Sequence, residues 1–265
     1  MNPSQRIYTK NDLINKFKEI ASLGWIPNAR HGNCGGIGNT LEDLLGIQEN
    51  NLPIPNASEW ELKTQRLNTS SLTTLFHIEP SPRALKLVPQ LLLPAYGWQH
   101  DEAGKKYPKD EKSFRQTIHG KTCSDRGFKV VIDRNERKIL ISFDYTKVDK
   151  RHSAWLKLVN KNIGLDELHP QPYWGFDDLQ HKAGTKLLNC FYVQADVKKE
   201  DKKEFYSYCK VQMLQKFNFD GFLKAIESAN VLIDFDARTG HNHGTKFRLR
   251  QNCLPMLYDK ATEIL

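Results

Sequence analysis

The sequence predicts an α/β or α+β protein built around a mixed sheet, and three observations carry that expectation. Segments of helical period and segments of strand-like alternation interleave along the whole chain instead of separating into blocks. Two apolar runs, Phe128 to Asp133 and Lys138 to Phe143, flank the polar stretch Arg134-Asn135-Glu136-Arg137, the pattern of an antiparallel hairpin. No unit of about 20 to 50 residues repeats, which excludes solenoids and arrays.

Taken in order, Leu13, Phe17, Ile20 and Ala21 recur at helical spacing after Thr9-Lys10-Asn11-Asp12, predicting an amphipathic helix over 11–22 that ends before Gly24. A short helix follows the cluster Gly35-Gly36-Ile37-Gly38, with Asn39 or Thr40 as its cap, Leu41, Leu44 and Leu45 as its apolar face and Gly46 closing it. Pro53 and Pro55 break the chain, and Trp60-Glu61-Leu62-Lys63-Thr64 then alternates as a half-buried strand does, so that Glu61 and Lys63 point the same way. Beyond the hairpin, strands are expected over 187–193 and 231–235, with an amphipathic helix over 219–229 between them. The charge runs 101–112 and 198–203 read as solvated loops or hairpin tips. Trp155, Tyr173, Trp174 and Phe176 sit at spacings that fit core packing or a lobe interface.

A chain of 265 residues is short of two domains of about 150 residues each, so one large domain or a core with a second lobe is expected. Hydrophobic residues make up 39%, enough for a core, and no apolar run is long enough for a membrane span. Lys and Arg number 39 against 31 Asp and Glu, and the resulting charge of +8 favours a polyanionic partner. Cys34, Cys123, Cys190, Cys209 and Cys253 form no CxxC pair and read as reduced, mostly buried thiols. The start MNPSQRIYTKNDLINKFKEI has no apolar export segment, so a cytoplasmic protein is expected. No Gly-Lys-Ser/Thr follows the glycine cluster, which excludes a nucleotide-binding P-loop.

The chemistry concentrates in Pro55-Asn56-Ala57-Ser58-Glu59-Trp60-Glu61-Leu62-Lys63. A carboxylate and an ammonium two residues apart on one strand face, with a further ligand five residues earlier, is an arrangement suited to nuclease chemistry. The carboxylate binds a divalent cation, the cation polarises the phosphate and acidifies a water, and the lysine orients that water and offsets negative charge. Alone, Glu-x-Lys is a common pattern of solvated strand faces; Glu42 on the preceding helix offers a supporting acid or an ordinary exposed side chain.

Those stretches, together with Leu45-Gly46-Ile47-Gln48-Glu49-Asn50-Asn51, Thr64-Gln65-Arg66, Leu75-Phe76 and the run from Asp234 to Arg248, resemble the MvaI/BcnI restriction endonucleases, relatives of the nickase MutH among the PD-(D/E)xK nucleases. The resemblance spans 35–248. It implies a MutH-like core with two lobes forming a DNA cleft, a catalytic lobe over 1–165 and a DNA-recognition lobe over 166–265 with a soft boundary. It further implies a monomeric type II enzyme that uses Mg²⁺, with Mn²⁺ able to substitute. Such an enzyme cuts double-stranded DNA at a short CC-N-GG-type site with a restricted central pair, one strand after the other. A prokaryotic cytoplasm and a cognate DNA methyltransferase as genetic partner come with that reading. Carried over, Glu61 is the metal-binding acid, Lys63 the lysine at the attacking water and Glu42 the supporting acid.

Asn56 departs from the pattern, which has Pro-Asp there with the aspartate ligating the metal. One neutral carbonyl oxygen replaces a charged group, and hard cations prefer the latter. Three accounts fit: an engineered substitution that traps uncut DNA, a naturally weakened homologue, or rescue by Glu59 or Asp43; the first is preferred because the other motif residues are intact. A MutH-like strand-specific nickase and a catalytically inactive DNA-binding protein are the alternative functions.

From Ala237 to Tyr258 there is no acidic residue, while Arg238, Lys246, Arg248 and Arg250 are cationic and His241 and His243 accompany them. Gly240 and Gly244 let such a loop approach a groove, and arginine pairs with guanine O6 and N7. Composition alone favours phosphate contacts; the resemblance favours base reading by Arg238, His241 and His243, and less directly by Lys246 and Arg248. His77 is a candidate reader of the central pair or an ordinary rim histidine, and Arg30, His31 and Asn33 are candidate phosphate contacts.

Overall fold

In the computed structural model the described residues are 8–29, 36–47, 59–67 and 69–265, so Arg30, His31, Asn33, Cys34 and Asn56 lie outside them. Contacts divide the chain into two units that interleave in sequence: Met1–Thr73, His181–Gly221 and Arg250–Leu265 form the first, Thr74–Gln180 and Phe222–Leu249 the second. Segments from both sides of residue 165 enter each unit. The reason is strand pairing: Glu61–Arg66 takes its parallel neighbour from Asn189–Glu200, and Lys112–Ile118 pairs with Val231–Arg238.

In the first unit the helix Lys10–Ser22 starts on a capping box. Asp12 N–H donates to the Thr9 hydroxyl at 3.2 Å, and Thr9 N–H donates to the Asp12 carboxylate at 3.0 Å. The second helix, Gly36–Leu45, begins earlier than its expected cap, which leaves Asn39 and Thr40 inside it. Thr40 instead ties the helix to the preceding segment, accepting from Ala29 N–H at 3.3 Å. Gly36 lets the helix pack close to the sheet, since a Cβ there would lie 2.6 Å from the Tyr206 hydroxyl. Gly46, at φ +65°, closes the helix as expected.

The sheet of this unit runs Ile26–Pro27, Lys203–Phe217, Asn189–Glu200, Glu61–Arg66, with Tyr258–Glu263 also paired to Lys203–Phe217. Its pairs are antiparallel except that of Glu61–Arg66 with Asn189–Glu200. The lysine run 198–203 is the tip of the long hairpin, turning at Asp201 and Lys202, both at positive φ. The strand expected over 187–193 begins only at Asn189 and continues to Glu200, because Leu187 is the buried end of the helix Phe176–Leu187. Leu13, Phe17, Leu41, Leu62, Phe191 and Val193 form part of one buried cluster. At roughly 1.5–3 kcal/mol per buried side chain of this size, that cluster fixes which face of Glu61–Arg66 looks toward the helices.

The second unit holds a six-stranded sheet in the order Thr73–His77, Lys246–Leu249, Val231–Arg238, Lys112–Ile118, Trp98–Gln99, with His241–Asn242 paired to Val231–Arg238. A separate sheet joins the expected hairpin, Arg126–Asp133 with Lys138–Val148, to Tyr173–Gly175. Aromatic contacts hold its interior: Phe76 stacks on Phe247 at 5.1 Å and Trp174 meets Phe247 edge-on at 5.3 Å. Trp155, Trp174 and Phe176 are buried, as their spacing predicts.

Mixed helices and sheets agree with the α/β class. No helix among the described residues is long and apolar enough to cross a membrane. Of the described cysteines only Cys190 is buried; Cys123 and Cys253 are half-buried and Cys209 is exposed, which corrects the expectation of mostly buried thiols.

Candidate active site and DNA-reading surface

Along Glu61–Arg66 the alternation places Leu62 in the helix-facing cluster, and Gly38 of the second helix approaches Thr64. Glu61, Lys63 and Gln65 therefore project from the opposite face, beside Cys190, Tyr192 and Gln194 of the parallel neighbour. Glu61 is 2% exposed. Its Oε1 accepts from Lys63 Nζ at 2.7 Å and faces Lys186 Nζ at 3.5 Å. Its Oε2 is buried and has no hydrogen-bond partner among the described residues.

Burial pushes the Cys190 thiol up to about 12, with Glu61 adding to the rise, and raises the Tyr258 phenol well above its ordinary value. Both stay neutral, so the local charge is one carboxylate against two ammonium groups. Burial lowers the Lys186 ammonium, an effect that Glu61 opposes and Lys63 reinforces.

A desolvated anionic oxygen without a donor is costly unless something binds it. Glu61 Oε2 fits a hard divalent cation, which takes charged oxygen ligands and fills remaining positions with water. Among the described residues no group of three or more His, Cys, Asp or Glu side chains could hold a metal ion. Asp43 and Glu59 are exposed and form no such group with Glu61. Glu42 is half-buried on the helix packed against the strand.

Buried amides hold the strand in place. Gln65 Oε1 accepts from the Tyr192 hydroxyl and from Asn252 N–H at 3.4 Å, while Gln65 Nε2 donates to Ser71 O at 3.3 Å. Gln194 Nε2 donates to Asn252 Oδ1 at 2.8 Å. Sequence reasoning missed Gln65 and Lys186. Lys186 stands in the last turn of Phe176–Leu187, where a lysine reads locally as an ordinary complement to the helix dipole.

The readout candidates lie in the second unit, apart from Arg250, which begins the last segment of the first and is exposed. On Val231–Arg238 the residues Asp234, Asp236 and Arg238 share the half-buried face, and Lys246 and Arg248 occupy the matching face of the neighbouring strand. Three of the four cations of the acid-free stretch pair with acids from elsewhere. Arg238 pairs with Glu111 at 3.0 Å, Lys246 with Asp236 at 3.4 Å and Arg248 with Asp234 at 3.2 Å. Arg115 also meets Asp236, at 2.7 Å. Burial works to raise the Asp236 carboxyl, but Arg115, Lys246 and His243 outweigh it and hold the group below the usual carboxylate range. This face presents fixed donors and acceptors side by side instead of a cationic patch, and held donors suit base edges.

His241 and His243 are exposed, with ring centroids 4.1 Å apart. Their loop turns through Gly240 and Gly244, both at positive φ, and is clamped from below by Glu79. That carboxylate accepts from Thr245 N–H at 2.9 Å, the Thr245 hydroxyl at 3.1 Å and Asn242 Nδ2 at 3.4 Å. A Cβ on Gly244 would lie 3.6 Å from His77 Cδ2, which puts all three candidate histidines in one neighbourhood. Glu79→Met removes all three acceptor contacts, whereas glutamine can still accept through its carbonyl and donate to the hydroxyl. The Met variant is expected to lose roughly 10-fold in preference for a cleavable duplex over random DNA, with Glu79→Gln close to the parent, as read by competitive binding; equal preference in both variants would remove Glu79 from the readout.

These features and the fold define a type II site-specific deoxyribonuclease. The chain belongs to the MvaI/BcnI restriction endonuclease family, whose model matches residues 14–258. A solved complex of restriction endonuclease MvaI with its cognate DNA substrate is 25% identical to it, covering 97% of this chain and 100% of that chain with a TM-score of 0.76. A structure of MvaI in the absence of DNA is 24% identical, covers 98% and 100%, and has a TM-score of 0.55. No curated protein matches. Restriction endonucleases generally use divalent metal ions.

Proposed function

We propose that the chain is a Mg²⁺-dependent endonuclease that binds double-stranded DNA and cuts a short CC-N-GG-type site with a restricted central pair, as a monomer that nicks the two strands in turn. The observation that carries this reading is Glu61, with one oxygen held by Lys63 and the other left without a partner among the described residues. The similarity to the MvaI complex with its cognate DNA substrate supports double-stranded DNA as the partner. Glu61 Oε2, together with Asn56, would hold the cation. When bound there, a divalent ion neutralises the scissile phosphate and acidifies a water. Lys63 fixes Glu61 and places an ammonium where a water approaches the phosphate. On the reading surface Arg238, His241 and His243 face base edges, Lys246 and Arg248 support them, and His77 joins the histidine pair. Arg250, and outside the described residues Arg30, His31 and Asn33, contact phosphates. Glu42 supports the site from the helix. A cognate methyltransferase would protect the host DNA in a prokaryotic cytoplasm.

The test is a digest of a mapped supercoiled plasmid with Mg²⁺, Mn²⁺ or chelator. Open circles that precede linear DNA, with cuts at one sequence class, are the expected result. Open circles that never become linear would select a strand-specific nickase. Site-specific binding without cutting, in the parent and in Asn56→Asp alike, would select an inactive DNA-binding protein. At the reading surface, Arg238→Ala is expected to weaken binding to the cleaved site by roughly 5- to 150-fold relative to random DNA, the range for one bidentate guanine contact. Uniform loss on both DNAs in a competition assay would make Arg238 a phosphate contact.

A further inference from the structure

We propose that Lys186 is a second active-site cation that contacts the phosphate of the DNA strand being cut. The inference rests on the reading of Glu61 and Lys63 as the catalytic pair, and goes beyond it by assigning a residue from a different element to the substrate. Two ammonium groups converge on one carboxylate oxygen: Lys63 Nζ at 2.7 Å and Lys186 Nζ at 3.5 Å from Glu61 Oε1. Lys63 alone satisfies the charge of Glu61. A second cation adds like-charge repulsion and its own desolvation cost, so neutralising Glu61 does not explain its presence.

The local sum of one carboxylate and two ammonium groups is a single positive charge. A phosphodiester is anionic, and the excess ammonium adds to the charge of any divalent ion that Glu61 holds in opposing it. Lys186 is the more accessible of the two lysines, with its side chain 20% exposed against 12% for Lys63. Its backbone is well fixed, because Leu179, Ala183 and Leu187 are fully buried along one stripe of the helix. The carbonyl end of that helix favours a cation in its last turn, which offsets part of the cost of holding one there. An ammonium held in advance at a phosphate needs no reorganisation as negative charge grows on the phosphate oxygens during attack.

The test compares Lys186→Met and Lys186→Arg with the parent chain on a short duplex that the protein, or its Asn56→Asp variant, cuts. Three quantities are read: affinity in chelator over a range of salt, single-turnover cleavage in Mg²⁺, and the thermal midpoint. Loss of one phosphate contact is expected to reduce the slope of log affinity against log salt by about 0.9 in Lys186→Met, and Lys186→Arg is expected to restore it. Cleavage by Lys186→Met is expected to fall about 10²- to 10³-fold, the range for one preorganised donor. A lowered thermal midpoint with unchanged salt slope and unchanged cleavage would make Lys186 a structural partner of Glu61 and overturn the proposal. Lys63→Met serves as the control: if it cuts like the parent, the catalytic pair itself is misassigned, whereas an inactive Lys63→Met beside a fully active Lys186→Met refutes only the role of Lys186.

Discussion

Glu61→Gln is expected to lower DNA cleavage by about 10³-fold or more while leaving binding in chelator equal to the parent or tighter. A thousandfold loss corresponds to roughly 4 kcal/mol of transition-state stabilisation, of the order expected when a charged metal ligand becomes neutral. Glutamine keeps a carbonyl oxygen for Lys63 and Lys186 but places an amide where Oε2 now stands without a partner. The choice of glutamine over alanine matters for folding. Alanine would remove a carboxylate partner from two partly buried ammonium groups, and such a removal is strongly destabilising. The sign of the binding change is the discriminating readout: deleting a negative charge from a phosphate-binding site favours the DNA polyanion, whereas a misfolded variant loses binding and cleavage together. Undiminished cleavage by a folded Glu61→Gln would remove Glu61 from the metal site.

Asn56→Asp is expected to act in the opposite direction, raising cleavage by about 10²-fold or more and lowering the Mg²⁺ concentration needed for half-maximal rate. Ligand chemistry is the reason; Asn56 itself lies outside the described residues. A neutral carbonyl gives a hard cation less electrostatic stabilisation than a carboxylate does, and the same charge holds the cation against the phosphate. Among the described residues Glu61 is the one acid with a buried, unpartnered oxygen on the candidate face, so a second charged ligand has a large effect on occupancy. Titration of cleavage against Mg²⁺ for both forms reads the two quantities separately. Equal rates and equal metal dependence would rule out a ligand role for position 56. The accounts that invoke Asp43 or Glu59 predict little gain, and neither residue joins Glu61 in a metal-binding group among the described residues.

The catalytic strand was legible because its evidence is local. Alternation from Trp60 to Thr64 announces a strand with one apolar and one polar face, and the polar face carries Glu61 and Lys63 whatever the neighbours are. The capped helix Lys10–Ser22, the hairpin 126–148 and the helix Phe219–Glu227 follow from similarly local patterns. Boundaries failed where tertiary contacts override local preference. The second helix already includes Gly36, where a side chain would meet Tyr206, which belongs to a strand far along the chain. Asn189–Glu200 outruns its apolar core because its second half is stabilised by pairing in the hairpin and not by burial.

By itself the sequence determined the class of fold, the family, and which side chains share a face within each element, since period and motif are properties of contiguous residues. Only the tertiary structure decided which elements meet. It alone showed that Lys186 reaches Glu61, and that Arg238, Lys246 and Arg248 pair with Glu111, Asp236 and Asp234. It alone showed that Glu79 carries the histidine loop and that the two units are woven from alternating segments of chain. The physical reason is that these contacts join residues far apart in sequence through a choice of strand partners, and that choice is settled by packing of the whole core, to which no short window of residues has access.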